Sequence, residues 1–253
     1  MPRGNWFDGI ELEELSATGR CFAYVRDKMH NTIVHDEVES YDIKQAYRIN
    51  NKHTWPLYVK RRAQISQDLG GKRVTEKRIF HGSPNALAIA SEGFDRGFAK
   101  NSGMFGNGVY FAENSSKSNN YAFGNFKPCQ PHNNRRCQIC IRRVLICKVA
   151  VGRVYNTTDT ITSLPSGFHS VRAEAKSGFL KFPEYIIYND DQVFPSFLIE
   201  YTTNYKQGVP RPFSAPNPLR RSFNRRNGQS ASNNVDPSGI LSVMFPNLNL
   251  NSP

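Results

Sequence analysis

No run in this 253-residue sequence approaches the ~18 apolar residues that a membrane-spanning helix needs. Its opening, MPRGNWFDGIELEEL, holds no apolar signal-peptide core. No membrane partner is expected, and a soluble intracellular protein is, with nucleus and cytoplasm left undistinguished. Internal repeats are lacking too, which removes solenoids. Acidic residues are scarce: 21 Asp and Glu stand against 33 Lys and Arg, a net charge of +12 with histidine neutral. That balance invites polyanions such as nucleic acid or another phosphate polymer, with a generally basic surface lacking any specific partner as an equal alternative. Cysteines number five, an odd count that argues against a disulfide framework.

What is abundant is aromatic. The 17 Phe and 11 Tyr point to an aromatic-rich core and more strand than helix. In GRCFAYVRDKMHNTIVH, from residue 19, Phe22, Val25, Met29 and Ile33 recur at spacings of three and four and make one helical stripe. ESYDIKQAYRI then puts Tyr41, Ile43, Tyr47 and Ile49 on alternate positions, the period of a half-buried strand. A basic helix follows, with Thr54 as N-cap, Pro56 in its first turn and Gly70 and Gly71 as its stop. From residue 76 short strands dominate: EKRIFHG, NGVYFAEN, CIRRVLICKVAVG, FPEYIIYND and QVFPSFLIEYTT, with short helices at PNALAIASEG and SSKSNNYAF. Strands gathered in the second half, without βα alternation, make the fold class α+β. Positions 206–253 hold eight Asn, seven Ser and seven Pro, with six Lys or Arg against one Asp. Such a basic tail cannot bury enough to order itself. The expected organisation is an N-terminal extension over 1–18, one domain over 19–205, and the tail.

CQPHNNRRCQIC supplies Cys129, His132, Cys137 and Cys140, separated by two, four and two residues. Four soft ligands in so short a loop can close a tetrahedron around a structural Zn2+ and leave no open position. The interval is too short for the hairpin and helix of a DNA-reading finger, so a stapled loop is expected. Cys147, on the next strand, is assigned to the core.

The segment GMFGNGVYFAENSSKSNNYAF, residues 103–123, packs three glycines and five aromatic rings into one stretch. Its glycines suggest a phosphate-cradling loop, yet as a dinucleotide fingerprint it fails on spacing, and a strand rather than a helix follows it. Tyr110 and Tyr121, one short helix apart, could flank a flat heteroaromatic ring, with Ser118 a turn earlier able to bond an amide; two tyrosines in an aromatic core is the equal alternative. His81 and Gly82 end one strand, and Glu184 starts another among apolar residues. A carboxylate near a ribose can stabilise an oxocarbenium-like transition state as nicotinamide departs.

The ordered set His81-Gly82, Tyr110, Ser118, Tyr121 and Glu184 resembles the catalytic domain of the poly(ADP-ribose) polymerases, over roughly residues 20–203. The zinc-loop spacing and GMFGNGVYFAENSSKSNNYAFG resemble the tankyrase branch most. The resemblance implies an ADP-ribosyltransferase fold of two packed, mainly antiparallel sheets with flanking short helices and a zinc-stapled loop. It implies NAD+ as co-substrate and an NAD+ protein ADP-ribosyltransferase acting on protein acceptors, itself included, and on growing chains. Transfer of a single unit is the alternative; so is a silent module that holds nucleic acid or poly(ADP-ribose) through the basic surface and tail. By the same resemblance His81 holds the adenosine ribose, and Gly82 and Ser118 bond the nicotinamide carboxamide. Tyr121 stacks on the ring, Tyr110 closes its other side, and Glu184 binds the nicotinamide ribose and activates the incoming hydroxyl. His81, Tyr110 and Glu184 are thus the catalytic set. Phe98 and Lys100 stand where tankyrases carry histidine and tyrosine in the donor-site loop. No helical regulatory domain of the DNA-dependent polymerases is seen, so no requirement for DNA breaks is expected.

Overall fold

The computed structural model describes residues 6–7, 10–34, 37–98, 103–176 and 180–207. The expected tail lies outside the described residues beyond Gln207, as does Lys100. Ten strands form among them: β1 (Trp6–Phe7), β2 (Ile10–Glu14), β3 (Val38–Asn51), β4 (Glu76–Gly82), β5 (Val109–Ala112), β6 (Arg142–Ala150), β7 (Val154–Thr157), β8 (Ser170–Ala173), β9 (Glu184–Ile187) and β10 (Val193–Tyr205). Four α-helices accompany them: α1 (Arg20–Asn31), α2 (Thr54–Asp68), α3 (Ala86–Glu92) and α4 (Ser115–Asn119). Among the described residues no helix is long and apolar enough to cross a membrane.

The strands hydrogen-bond in the order β1-β2-β3-β10-β6-β4-β5-β9-β8-β7. All neighbours are antiparallel except β7 and β8. The two sheets expected from the sequence are therefore joined edge to edge, and the joint is slender: β4 meets β5 through the single pair Phe80–Ala112. One core cluster bridges the joint, taking Ile79, Leu145 and Cys147 from one side and Val109, Phe111 and Ile187 from the other. The alternate residues Phe80, Val144 and Ile146 turn to a second cluster, where they meet Val25 and Met29 of α1. Both faces of β4 and β6 are thereby covered, which explains why RVLICKVA carries an almost continuous apolar run.

Two local expectations are corrected. Alternation along β3 breaks at Lys44, because the register with β10 shifts between Gln45 and Ile43. Tyr41 and Ala46 consequently share one cluster, while Ile49 and Tyr47 pack in the other. The start of α2 is capped not by Thr54 but by Asn51, whose Oδ1 accepts from the amides of His53 and Thr54 at 3.0 Å each. Its end follows the expectation: Gly70 and Gly71 adopt φ of 71° and 79°, and the Gly71 amide donates to the Ser66 carbonyl. Residues 10–14, within the stretch expected as an N-terminal extension, pair with β3 as an outer strand.

Candidate active site and metal centre

Glu184 opens β9 immediately after Pro183, a residue that suits a strand start because it has no amide to donate. The register of β5 with β9 sets Ala112 opposite Glu184 and Tyr110 opposite Ile186. Tyr110 and Glu184 therefore share one sheet face, two residues apart diagonally. Glu184 is only 8% exposed, and Lys117 of α4 answers its charge with Nζ 2.7 Å from Oε1. The same Nζ donates to the Phe182 carbonyl at 3.0 Å, tying α4 to the entrance of β9. Burial raises the pKa of Tyr121, and the Glu184 carboxylate raises it further. Burial likewise raises Tyr110, the Phe105 amide offsets part of this, and Glu184 adds to it. One carboxylate thus acts on both rings.

The glycine-rich turn before β5 cradles a hydroxyl rather than a phosphate. The Phe105 amide donates to Tyr110 Oη at 2.9 Å, and that hydroxyl donates to the Gly106 carbonyl at 3.1 Å. A Cβ on Gly103 would stand 2.3 Å from the Tyr110 hydroxyl, so a side chain there would displace it.

His81 and Gly82 end β4 beside α4. His81 Nδ1 lies 3.0 Å from the Tyr110 carbonyl. The carbonyl can only accept, so Nδ1 carries the proton and Nε2 is left as the acceptor. Burial lowers the His81 pKa, the Tyr110 carbonyl opposing it, and the ring is neutral at pH 7. A Cβ on Gly82 would come within 2.0 Å of the Ser118 carbonyl oxygen and 3.3 Å of Tyr121 Cβ, so strand end and helix touch backbone to backbone. This contact gathers Gly82, Ser118 and Tyr121 at one spot. The five residues of α4 are all buried and docked: Ser115 Oγ donates to the Met29 carbonyl, and Asn119 Oδ1 accepts from Tyr201 and Thr203. Phe98, in the segment between α3 and β5, is 74% exposed.

The four metal-ligand candidates converge as their spacing requires. One donor atom from each of Cys129, His132, Cys137 and Cys140 lies within 4.8 Å of the others. His132 Nδ1 is 3.8, 3.4 and 3.2 Å from the sulfurs of Cys129, Cys137 and Cys140. A tetrahedral zinc with ordinary Zn–S and Zn–N bonds separates such donors by about 3.6–3.8 Å, so the set fits the ion. The Cys140 amide lies 3.3 Å from the Cys137 sulfur, a bond that favours a thiolate there. Cys147 is fully buried away from the cluster, as assigned.

Two residues of the site carry no signal in the sequence. Lys117 reads as a helix-surface lysine in SSKSNN, and only its 8% exposure shows otherwise. Arg142, 1% exposed, bonds the carbonyls of Cys137 and Arg135 and the Tyr205 hydroxyl, and so connects the metal loop to the core.

A strand-end His-Gly, a hydroxyl-anchored Tyr on the next strand and a buried Glu on the same sheet face as that Tyr form one compact site. The sequence model of the poly(ADP-ribose) polymerase catalytic domain matches residues 20–182, and the chain belongs to that family. The matched stretch ends just before Glu184. Among similar proteins, protein mono-ADP-ribosyltransferase PARP12 of Homo sapiens is 25% identical over 175 residues, 67% of this chain and 23% of its own length. Protein mono-ADP-ribosyltransferase PARP11 of Homo sapiens is 22% identical over 172 residues, 63% of this chain and 51% of its own. A probable poly [ADP-ribose] polymerase of Dictyostelium discoideum is 26% identical over 168 residues, 64% of this chain and 45% of its own. The chain thus spans between about a quarter and about half of these relatives.

Proposed function

We propose that this chain is an NAD+-dependent protein ADP-ribosyltransferase that attaches single ADP-ribose units and releases nicotinamide. The observation that carries ADP-ribosyl transfer itself is Glu184, buried at the start of β9, paired with Lys117 and acting on Tyr110 and Tyr121 together. NAD+ supplies a glycosidic bond whose cleavage leaves positive charge on the ribose. In this reading the Gly82 backbone and Ser118 orient the carboxamide, Tyr121 lies against the nicotinamide ring, Tyr110 closes the opposite side, and His81 Nε2 accepts from the adenosine ribose. Glu184 binds the nicotinamide ribose, stabilises the developing charge and takes the proton of the acceptor hydroxyl. Cys129, His132, Cys137 and Cys140 hold a zinc ion that staples their loop and takes no part in the chemistry.

The resemblance led with chain growth, because a retained glutamate at the position of Glu184 goes with elongation in that family. The names of the PARP12 and PARP11 relatives favour one-unit transfer instead. Growth of a polymer stays as the second reading because Glu184 is present, and the tankyrase likeness rests on the zinc loop and residues 103–124. Incubation with labelled NAD+ beside the Glu184→Gln variant, resolved on a denaturing gel, separates them. A sharp labelled band lost in the variant supports the proposal, and a high-molecular-weight smear would establish the polymerase. No label from a folded protein would sink both.

A further inference from the structure

Several cations gather on one face of the sheet. The register of β4 with β6 sets Arg78 directly opposite Lys148, and like charges so placed repel. Lys28 of α1 adds to the crowding. Its ammonium stands 5.2 Å over the Phe80 ring, and burial and the nearby Arg78 push its pKa down. Glu76 answers only part of this charge, being already engaged by the Tyr58 hydroxyl, by Lys148 at 3.3 Å and by Arg62 at 3.5 Å. Arg78 rests against the Tyr24 ring at 5.5 Å and makes no ion pair among the described residues.

Arg78 and Lys148 line two adjoining cavities of about 500 and 580 Å³. The first adds Arg73, and the second adds Arg48, Lys52 and Trp55. Glu76 is the only acid on either wall, and none of the candidate donor-site residues lines them. Aromatic rings stand among the cations: Trp55 is 42% exposed, braced by Tyr58 at 5.6 Å and Phe194 at 4.9 Å, and Tyr24 is 37% exposed.

We propose that this groove binds single-stranded nucleic acid, with phosphates over Arg78 and Lys148 and a base against Trp55. Cations supply the sequence-independent attraction to phosphate, and exposed rings supply stacking that only unpaired bases can use. A duplex hides those faces. Two connected cavities sharing their central cations suit a chain of nucleotides better than an isolated phosphate. The site stands apart from the proposed transferase reaction and does not depend on it.

The test is fluorescence anisotropy of the full chain with a labelled oligouridine of about 12 nucleotides, within the span of single-strand grooves, at several salt concentrations. Arg78→Gln removes one cation and its repulsion, so it should lower the salt slope by roughly 0.7 and weaken binding about five- to tenfold, with Tm unchanged or raised. Trp55→Leu should weaken binding at least about fivefold. Replacing Arg220, Arg221, Arg225 and Arg226 by Ser tests the tail, and the dependence on Arg78 and Trp55 should persist in that background. Affinity insensitive to Arg78→Gln and Trp55→Leu, in variants with unaltered Tm, would overturn the proposal. So would equal binding of a duplex of the same length, or equal displacement by a polyglutamate peptide or an ADP-ribose polymer.

Discussion

A carboxylate buried like that of Glu184 needs a proton or a cation beside it, because an unpaired charge in an apolar setting is costly. Lys117 supplies the cation from a helix only five residues long, so the pair depends on how firmly α4 is docked. Lys117→Met should leave Glu184 unpaired and cost about 3–5 kcal/mol in urea unfolding. Combining it with Glu184→Gln should restore much of that loss, and a single variant as stable as the parent would refute the pairing. His81 gives a second prediction at this scale. Burial depresses its pKa, so at the ordinary 6.5 the folded ring is less protonated than the unfolded side chain, which is half protonated there. Its contribution to stability is therefore complete above 6.5 and is lost as pH falls through the lower folded value. Nε2 ceases to accept over that same lower window. ADP-ribose affinity measured by calorimetry should stay level from pH 8 to 6.5 and fall below it; a fall centred at 6.5 itself would mean that burial does not shift the ring. Gly82→Ala puts a methyl group into the Ser118 carbonyl, and an overpacking cost of about 1–3 kcal/mol is expected together with weaker donor binding.

At the scale of elements, α4 and the metal loop share one anchor. Arg142 joins the carbonyls of Cys137 and Arg135 to the Tyr205 hydroxyl, which also accepts from Asn119 Nδ2 at 3.3 Å. A chain of polar contacts therefore runs from the candidate metal loop to the helix that carries Lys117 and Ser118. Removing zinc with a chelator should lower Tm and leave turnover at low temperature largely intact, any loss tracking unfolding. One zinc per chain is expected by elemental analysis, and none would sink the metal reading. This connection was invisible in the sequence, because Arg142 falls in CIRRVLIC as one of two adjacent arginines and nothing there distinguishes the buried one from its neighbour. The metal-ligand candidates were legible because their donor chemistry and spacing are both local. The strands EKRIFHG and QVFPSFLIEYTT were legible from apolar patterning, and the former matches β4 residue for residue. By contrast β7 and β8 were not: each is four residues long, and they pair in parallel across a loop, so their stability comes from neighbours rather than from pattern. The bulge at Lys44 escaped for a related reason. It answers to β10, a partner some 150 residues along the chain.

At the scale of residues 10–207 the question is whether the slender β4–β5 joint divides the protein into two folding units. Backbone pairing alone suggests that it does, since one residue pair holds the two groups of strands together. Side-chain packing argues the other way. Ile187 of β9 is fully buried in the same cluster as Leu145 and Cys147 of β6, so unfolding one group strips apolar cover from the other. Cutting Ile187 back to Ala should then cost about 2–5 kcal/mol, and the loss should register equally far from the substitution. Trp55 is a suitable reporter because it packs on Phe194 of β10, on the other side of the joint. With Trp6 replaced by Phe, the Trp55 fluorescence transition and the far-ultraviolet circular dichroism transition should shift together to lower urea. A Trp55 transition that stays in place while the dichroism signal splits would show that the shared core does not couple the two groups, and that the joint is a boundary after all.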